Sequence, residues 1–135
     1  AFSDGDVRNG GATSPLQSID PLKAVLGLTY ADPAGRFGGQ VIATYSDAKK
    51  NEDIFENRTG NAAADLFSPR SFVILDVTAY WNITGWVALR AGAVNVTGET
   101  YWWWSDVRGL GNASIVKDAY TQPGANYSVS LTVRY

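Results

Sequence analysis

The run from Tyr127 to Tyr135 alternates without a break. Tyr127, Val129, Leu131, Val133 and Tyr135 fall on one side, and Ser128, Ser130, Thr132 and Arg134 on the other. Successive side chains of a strand point to opposite faces, so this run makes a strand with one apolar and one polar face. Tyrosines bracket the apolar face, and aromatics at both ends of a lipid-facing band mark membrane barrels. A soluble sandwich strand can alternate in the same way, and for this run alone both readings stand.

Four earlier runs repeat the pattern. Leu22, Ala24, Leu26, Leu28 and Tyr30 oppose Lys23, Val25, Gly27 and Thr29. Phe37, Gly39, Val41, Ala43 and Tyr45 oppose Gly38, Gln40, Ile42 and Thr44. Val73, Leu75, Val77, Ala79 and Trp81 oppose Ile74, Asp76, Thr78 and Tyr80. Val87, Leu89, Ala91 and Ala93 oppose Ala88, Arg90, Gly92 and Val94. Asp32-Pro33-Ala34-Gly35 and Asn82-Ile83-Thr84-Gly85 read as compact turns. The other connections are long. Residues 47–70 carry mixed charge, including Glu52, Glu56 and Arg58, and 97–124 form a second long loop. Residues 1–20 show no periodicity and read as the stub of an extracellular loop.

The connections therefore run long, short, long, short, long. Outer-membrane barrels have short periplasmic turns and long extracellular loops, whereas a soluble sandwich has no reason to sort its loops. A ten-residue strand tilted near 45° rises roughly 23 Å, close to the ~25 Å apolar band of such barrels. The expected fold is all-β: an antiparallel transmembrane β-barrel, with 21–135 as the C-terminal part of the barrel domain. Leu26, Val41, Leu75, Leu89 and Leu131 are expected to face lipid, and Gln40, Asp76, Arg90, Ser130 and Arg134 the lumen. Asp76 and Arg90 are expected to pair there. Five strands leave two open edges, at 22–30 and 127–135, and unpaired backbone groups in lipid cost several kcal/mol each. The remaining strands are therefore expected from elsewhere.

Composition narrows the function. No run approaches the roughly 18 apolar residues of a membrane helix. A net charge of −2 gives no reason to expect a nucleic-acid partner. The chain has no cysteine and no histidine, which removes the usual general base, metal ligand and haem ligand. No enzyme and no cofactor bound by this segment are expected. The polar start, Ala1-Phe2-Ser3-Asp4, reads as an internal position of a longer protein.

Five tryptophans are a heavy aromatic load for 135 residues. Tyr30, Phe37, Tyr45, Trp81, Trp86, Tyr101 and Trp102 are expected at the membrane interface. The consecutive Tyr101-Trp102-Trp103-Trp104 cannot all face lipid, so some should pack under the loop. Trp103, Trp104 and Arg108 are candidates for contact with a substrate, and a carbohydrate-stacking platform is the alternative. The Asn-x-Ser/Thr triplets at Asn57, Asn82, Asn95, Asn112 and Asn126 read as composition.

Several stretches carry a resemblance: Pro21-Leu22-Lys23-Ala24, Leu75-Asp76 with Tyr80-Trp81, Leu89-Arg90-Ala91-Gly92 with Val94-Asn95-Val96, and Asp106-Val107-Arg108-Gly109-Leu110. Asp118-Ala119-Tyr120-Thr121-Gln122-Pro123-Gly124, followed by the terminal strand, is the most specific. The chain resembles the C-terminal end of TonB-dependent outer-membrane receptors, most of all the haem and haemoglobin uptake branch. The resemblance implies the last five strands of a 22-stranded barrel with an internal plug, in the bacterial outer membrane. It implies as partners the remaining barrel and plug, outer-membrane lipid, TonB through the missing part, and a substrate or haem-carrier protein at the extracellular loops. Haem would be a transported substrate of the whole receptor. The family's haem ligands are histidines, so none carries over. Tyr127, Val129, Leu131, Val133 and Tyr135 match its barrel-assembly signal. A stand-alone barrel or adhesin and a soluble carbohydrate-binding sandwich are the other readings.

Overall fold

Each of the five alternating runs forms a strand in the computed structural model, which describes residues 5–9, 12–16, 18–50, 53–54 and 65–135. These strands are β3 (Lys23–Ala31), β4 (Phe37–Ser46), β5 (Phe72–Asn82), β6 (Val87–Val94) and β7 (Asn126–Val133). They make one antiparallel sheet in the order β3-β4-β5-β6-β7, so every strand neighbours its successor. Among the described residues no helix is long and apolar enough to cross a membrane.

The pairing register keeps the two faces separate. Trp81, Leu89 and Leu131 share one cross-strand row, as do Ala79, Ala91 and Val129, and Val77, Ala93 and Tyr127. On the other face Tyr80, Arg90 and Ser130 share a row, and Thr78, Gly92 and Ser128 another. A slip of one residue in any strand would turn its apolar set to the other face, so the alternation itself selects this register.

The two short turns follow from their sequences. In the first, Asp32 N–H donates to Phe37 O (2.8 Å) and Gly35 N–H to Asp32 O (2.7 Å). Gly35 has φ 68°, the left-handed region that glycine enters without a Cβ clash. In the second, the Thr84 hydroxyl oxygen accepts the Val87 N–H at 3.0 Å, the local bond that makes threonine a turn residue. The end of β5 ties the first turn down: Asn82 N–H donates to Arg36 O (2.6 Å), and its side-chain amide donates to Gly35 O (2.7 Å).

The chain divides into two units. The sheet unit comprises Val25–Tyr45, Val73–Glu99 and Pro123–Tyr135. The loop unit comprises Ala1–Ala24, Ser46–Phe72 and Thr100–Gln122. Two expectations change in the loop unit. Residues 1–20 hold a short antiparallel hairpin, β1 (Asp6–Asn9) and β2 (Ala12–Pro15), with Asn9 opposite Ala12. Backbone pairing alone can make so short a ladder, and it leaves no hydrophobic period in the sequence. Gly10 and Gly11 lie outside the described residues.

The long loop 97–124 is also ordered locally. It contains α1 (Trp104–Val107) and a 3-10 helix (Ile115–Tyr120), and Leu66 bridges to Gly111. Ile54, Leu66 and Trp104 form a buried cluster, and Val107 is wholly buried. In 47–70, residues 51, 52 and 55–64 lie outside the described residues, among them Glu52, Glu56, Asn57 and Arg58 of the expected charged surface.

Candidate functional site

The sheet unit offers a large apolar face. Leu26, Leu28, Tyr30, Val41, Val73, Trp81, Tyr127, Val129, Leu131 and Val133 are all exposed, with Leu26 at 76% and Val129 at 74%. Soluble monomers rarely expose apolar patches beyond a few hundred Å². Tyr30, Phe37, Tyr45, Trp81 and Trp86, five of the expected interface aromatics, are exposed here, and the Tyr30 and Phe37 rings lie 6.0 Å apart.

The opposite face is polar and locally bonded. The Gln40 amide donates to the Thr29 hydroxyl at 3.1 Å across β3 and β4. Gly38 is buried because the Tyr80 ring lies across it. A Cβ there would come within 2.6 Å of that ring and 2.7 Å of Tyr30 O. Asp76 and Arg90 share this face, as expected, but they do not pair. Arg90 sits opposite Tyr80 and Ser130, whereas the Asp76 carboxylate accepts the Asn95 N–H at 2.8 Å. Four residues of strand, roughly 13 Å at ~3.3 Å per residue, separate Asp76 from Tyr80 in the ladder, beyond ion-pair reach.

Asn95 is the residue that sequence reasoning passed over. It is 1% exposed and has φ 50°, a left-handed conformation that asparagine tolerates better than most residues. Its side-chain amide donates to Glu99 O (2.8 Å) and Pro123 O (3.1 Å). Its side-chain oxygen accepts from Glu99 N–H (3.0 Å) and the Thr97 hydroxyl (3.3 Å). Its backbone N–H is the one held by Asp76. One side chain thus joins the exit of β6, the approach to β7 and a carboxylate of β5. The available signal was an asparagine directly after a strand and before Thr97-Gly98, where a turn needs positive φ.

In the loop unit the consecutive aromatics form a core. Tyr101 is buried against Phe72, with ring centroids 4.4 Å apart, and Trp103 meets both edge-on at 5.1 and 5.5 Å. Trp102 is half-buried, packs edge-on against Phe67 at 5.2 Å and donates its indole N–H to Lys117 O at 2.9 Å. Trp104 is 2% exposed. This corrects two expectations. Tyr101 is not free to sit at a membrane interface, and Trp104 is not free to touch a substrate. The loop needs a core of its own, and four neighbouring aromatics supply it. Of the three tryptophans of the carbohydrate alternative, Trp104 is thus unavailable, while Trp102 and Trp103 are half-buried. Trp103 keeps part of its surface, but the Lys23 ammonium lies 4.4 Å from its centroid. Arg108 is exposed.

No family model matches the chain. Curated relatives do. The chain is 31% identical over 133 residues to Transferrin-binding protein A of Neisseria meningitidis serogroup B, covering 89% of the chain and 15% of the relative. It is 28% identical over 145 residues to Hemoglobin-haptoglobin utilization protein B of Neisseria meningitidis serogroup A, covering 95% and 17%. It is 27% identical over 135 residues to Hemoglobin-haptoglobin-binding protein A of Haemophilus influenzae, covering 90% and 13%. The chain thus spans about a sixth of the length of the first two relatives. Among solved structures, a copper transporter, OprC, matches 95% of the chain and 19% of its own, with a TM-score of 0.63 and 19% identity. At that identity the likeness speaks for the fold. These likenesses agree with the resemblance to TonB-dependent receptors. The relatives are named for binding, utilization and transport and not for enzymatic reactions.

Proposed function

We infer that this chain is part of a TonB-dependent outer-membrane receptor and supplies barrel strands to it. The observation that carries the inference is the exposed apolar face in register across β5, β6 and β7, with polar rows behind it. In the lipid of the outer membrane that face becomes the outer wall. The open edges of β3 and β7 then pair with the remaining strands of a 22-stranded barrel, as the family resemblance implies. The plug and the segment that engages TonB lie outside this chain. With β7 running toward the periplasm, the short turns at 32–35 and 82–85 are periplasmic and the loops at 47–70 and 97–124 are extracellular.

The transported cargo is iron-bearing, either haem from a haem protein or iron from a carrier protein. Supporting this, the relatives named above are called transferrin-, haemoglobin- and haptoglobin-binding or -utilizing proteins. The chain has no histidine to serve as a haem ligand. Its role is to hold barrel wall and loops, with Trp103 and Arg108 as the remaining candidates for substrate contact.

The test uses the whole receptor in a strain lacking its other iron importers. Growth on haemoglobin or on iron-loaded transferrin as sole iron source should depend on the receptor and on TonB. Growth unaffected by loss of TonB, or recovery of the receptor in the soluble fraction, would overturn the reading.

A further inference from the structure

Arg36, Phe37 and Trp81 line an open pocket of about 330 Å³ that plays no part in the function argued above. Its base is rigid. Arg36 Nε–H donates to Asp32 Oδ2 at 3.1 Å, and the same oxygen accepts the Arg36 backbone N–H at 3.1 Å. Asn82 holds the turn from β5 through Arg36 O and Gly35 O. The Asp32 side chain is 10% exposed, whereas that of Arg36 is 69% exposed. Asp32 therefore takes the Nε edge of the guanidinium. Among the described residues no hydrogen bond occupies its two terminal nitrogens. Phe37 and Trp81 line the same pocket, with Tyr30 beside Phe37.

We propose that this pocket binds the phosphate of a glycerophospholipid in the leaflet on the short-turn side of the membrane. The proposal rests on the reading of the sheet as lipid-embedded barrel wall. The terminal N–H groups of Arg36 form a planar fork that matches two phosphate oxygens. Phe37 and Trp81 offer amphipathic rings at headgroup depth, against the glycerol and the first methylenes of the acyl chains. Free phosphate has no use for those rings. Asp32 offsets part of the Arg36 charge, which suits one phosphate and disfavours a polyanion.

The experiment is native mass spectrometry of the whole receptor in detergent, titrated with palmitoyl-oleoyl phosphatidylethanolamine. Losing the charged fork in Arg36→Gln should weaken retention of the tightest lipid roughly tenfold. Arg36→Lys should fall between the two, because it keeps charge without the fork. Arg134→Gln, on the polar face, should match the parent, and millimolar inorganic phosphate should not displace the lipid. Should Arg36→Gln fail to fold, Phe37→Leu reads the same quantity. Equal lipid retention in the folded pocket variants and the parent, or displacement by inorganic phosphate, overturns the proposal. A heat-modifiable membrane barrel with unchanged lipid retention sinks the pocket alone. A receptor soluble without detergent sinks the barrel reading as well.

Discussion

Asn95 shows how much of the sheet unit can hang on one side chain. Its amide makes four hydrogen bonds, and its backbone N–H is capped by Asp76. Asn95→Ala would remove all four of these hydrogen bonds while keeping the positive φ. We expect a loss of about 2–4 kcal/mol of stability, read by chemical unfolding of the whole receptor in detergent. Asn95→Gly should recover only the backbone part of that loss. Gly38→Ala belongs to the same scale. Its Cβ would meet both the Tyr80 ring and Tyr30 O, so about 1–3 kcal/mol should be lost. Tyr80→Ser should restore part of it, since only the ring contact is relieved. These positions mark what the sequence does not disclose. Asn95 stood in an Asn-x-Thr triplet, and Gly38 in a run whose contact on the next strand, Tyr80, lies about forty residues further on. Contacts of that kind depend on register, which no local pattern spells out.

At the scale of elements the sequence was far more legible. Period-two alternation located all five sheet strands and assigned Leu89 and Leu131 to one face and Arg90 and Ser130 to the other, as the pairing shows. Alternation reports that the two faces meet different surroundings, and a strand in a single sheet has only two faces to choose between. The loops were less legible because their order comes from tertiary packing of aromatics and not from a period. Thus Trp104 read as a substrate contact and is in fact core, and Asp76 and Arg90 read as a pair although the ladder separates them. Two measurements follow. Val129→Arg, in the row between those of Trp81 and Tyr127, should cost about 2–4 kcal/mol near the middle of a lipid bilayer, while Ser130→Leu should be milder. The reverse order in lipid-refolding titrations would mean that the faces are inverted. Trp104→Ala should cost the loop unit about 3–5 kcal/mol. Limited proteolysis of intact cells should then cut between Thr100 and Gln122 faster than in the parent, with the sheet strands still resistant.

At the scale of the whole molecule, the sheet runs from β3 to β7, and on the proposed reading both of these outer strands pair with strands from outside the chain. Expressed by itself and refolded in lipid, the 14.5 kDa chain should give no heat-shifted band on electrophoresis, whereas the whole receptor should. A heat-stable barrel formed by this chain alone would show that the edges close on each other or on a second copy. The loop unit adds a constraint of another kind, because three separate stretches build it: 1–24, 46–72 and 100–122. Leu66 from the second packs with Trp104 from the third, and Lys23 from the first lies on Trp103 from the third. Variation there is inherited in instalments that must match. Genetic exchange that replaced one stretch alone would set foreign side chains against a resident core. Successful exchanges between related strains should therefore carry all three stretches together, or leave Lys23, Leu66 and Trp104 untouched at their junctions.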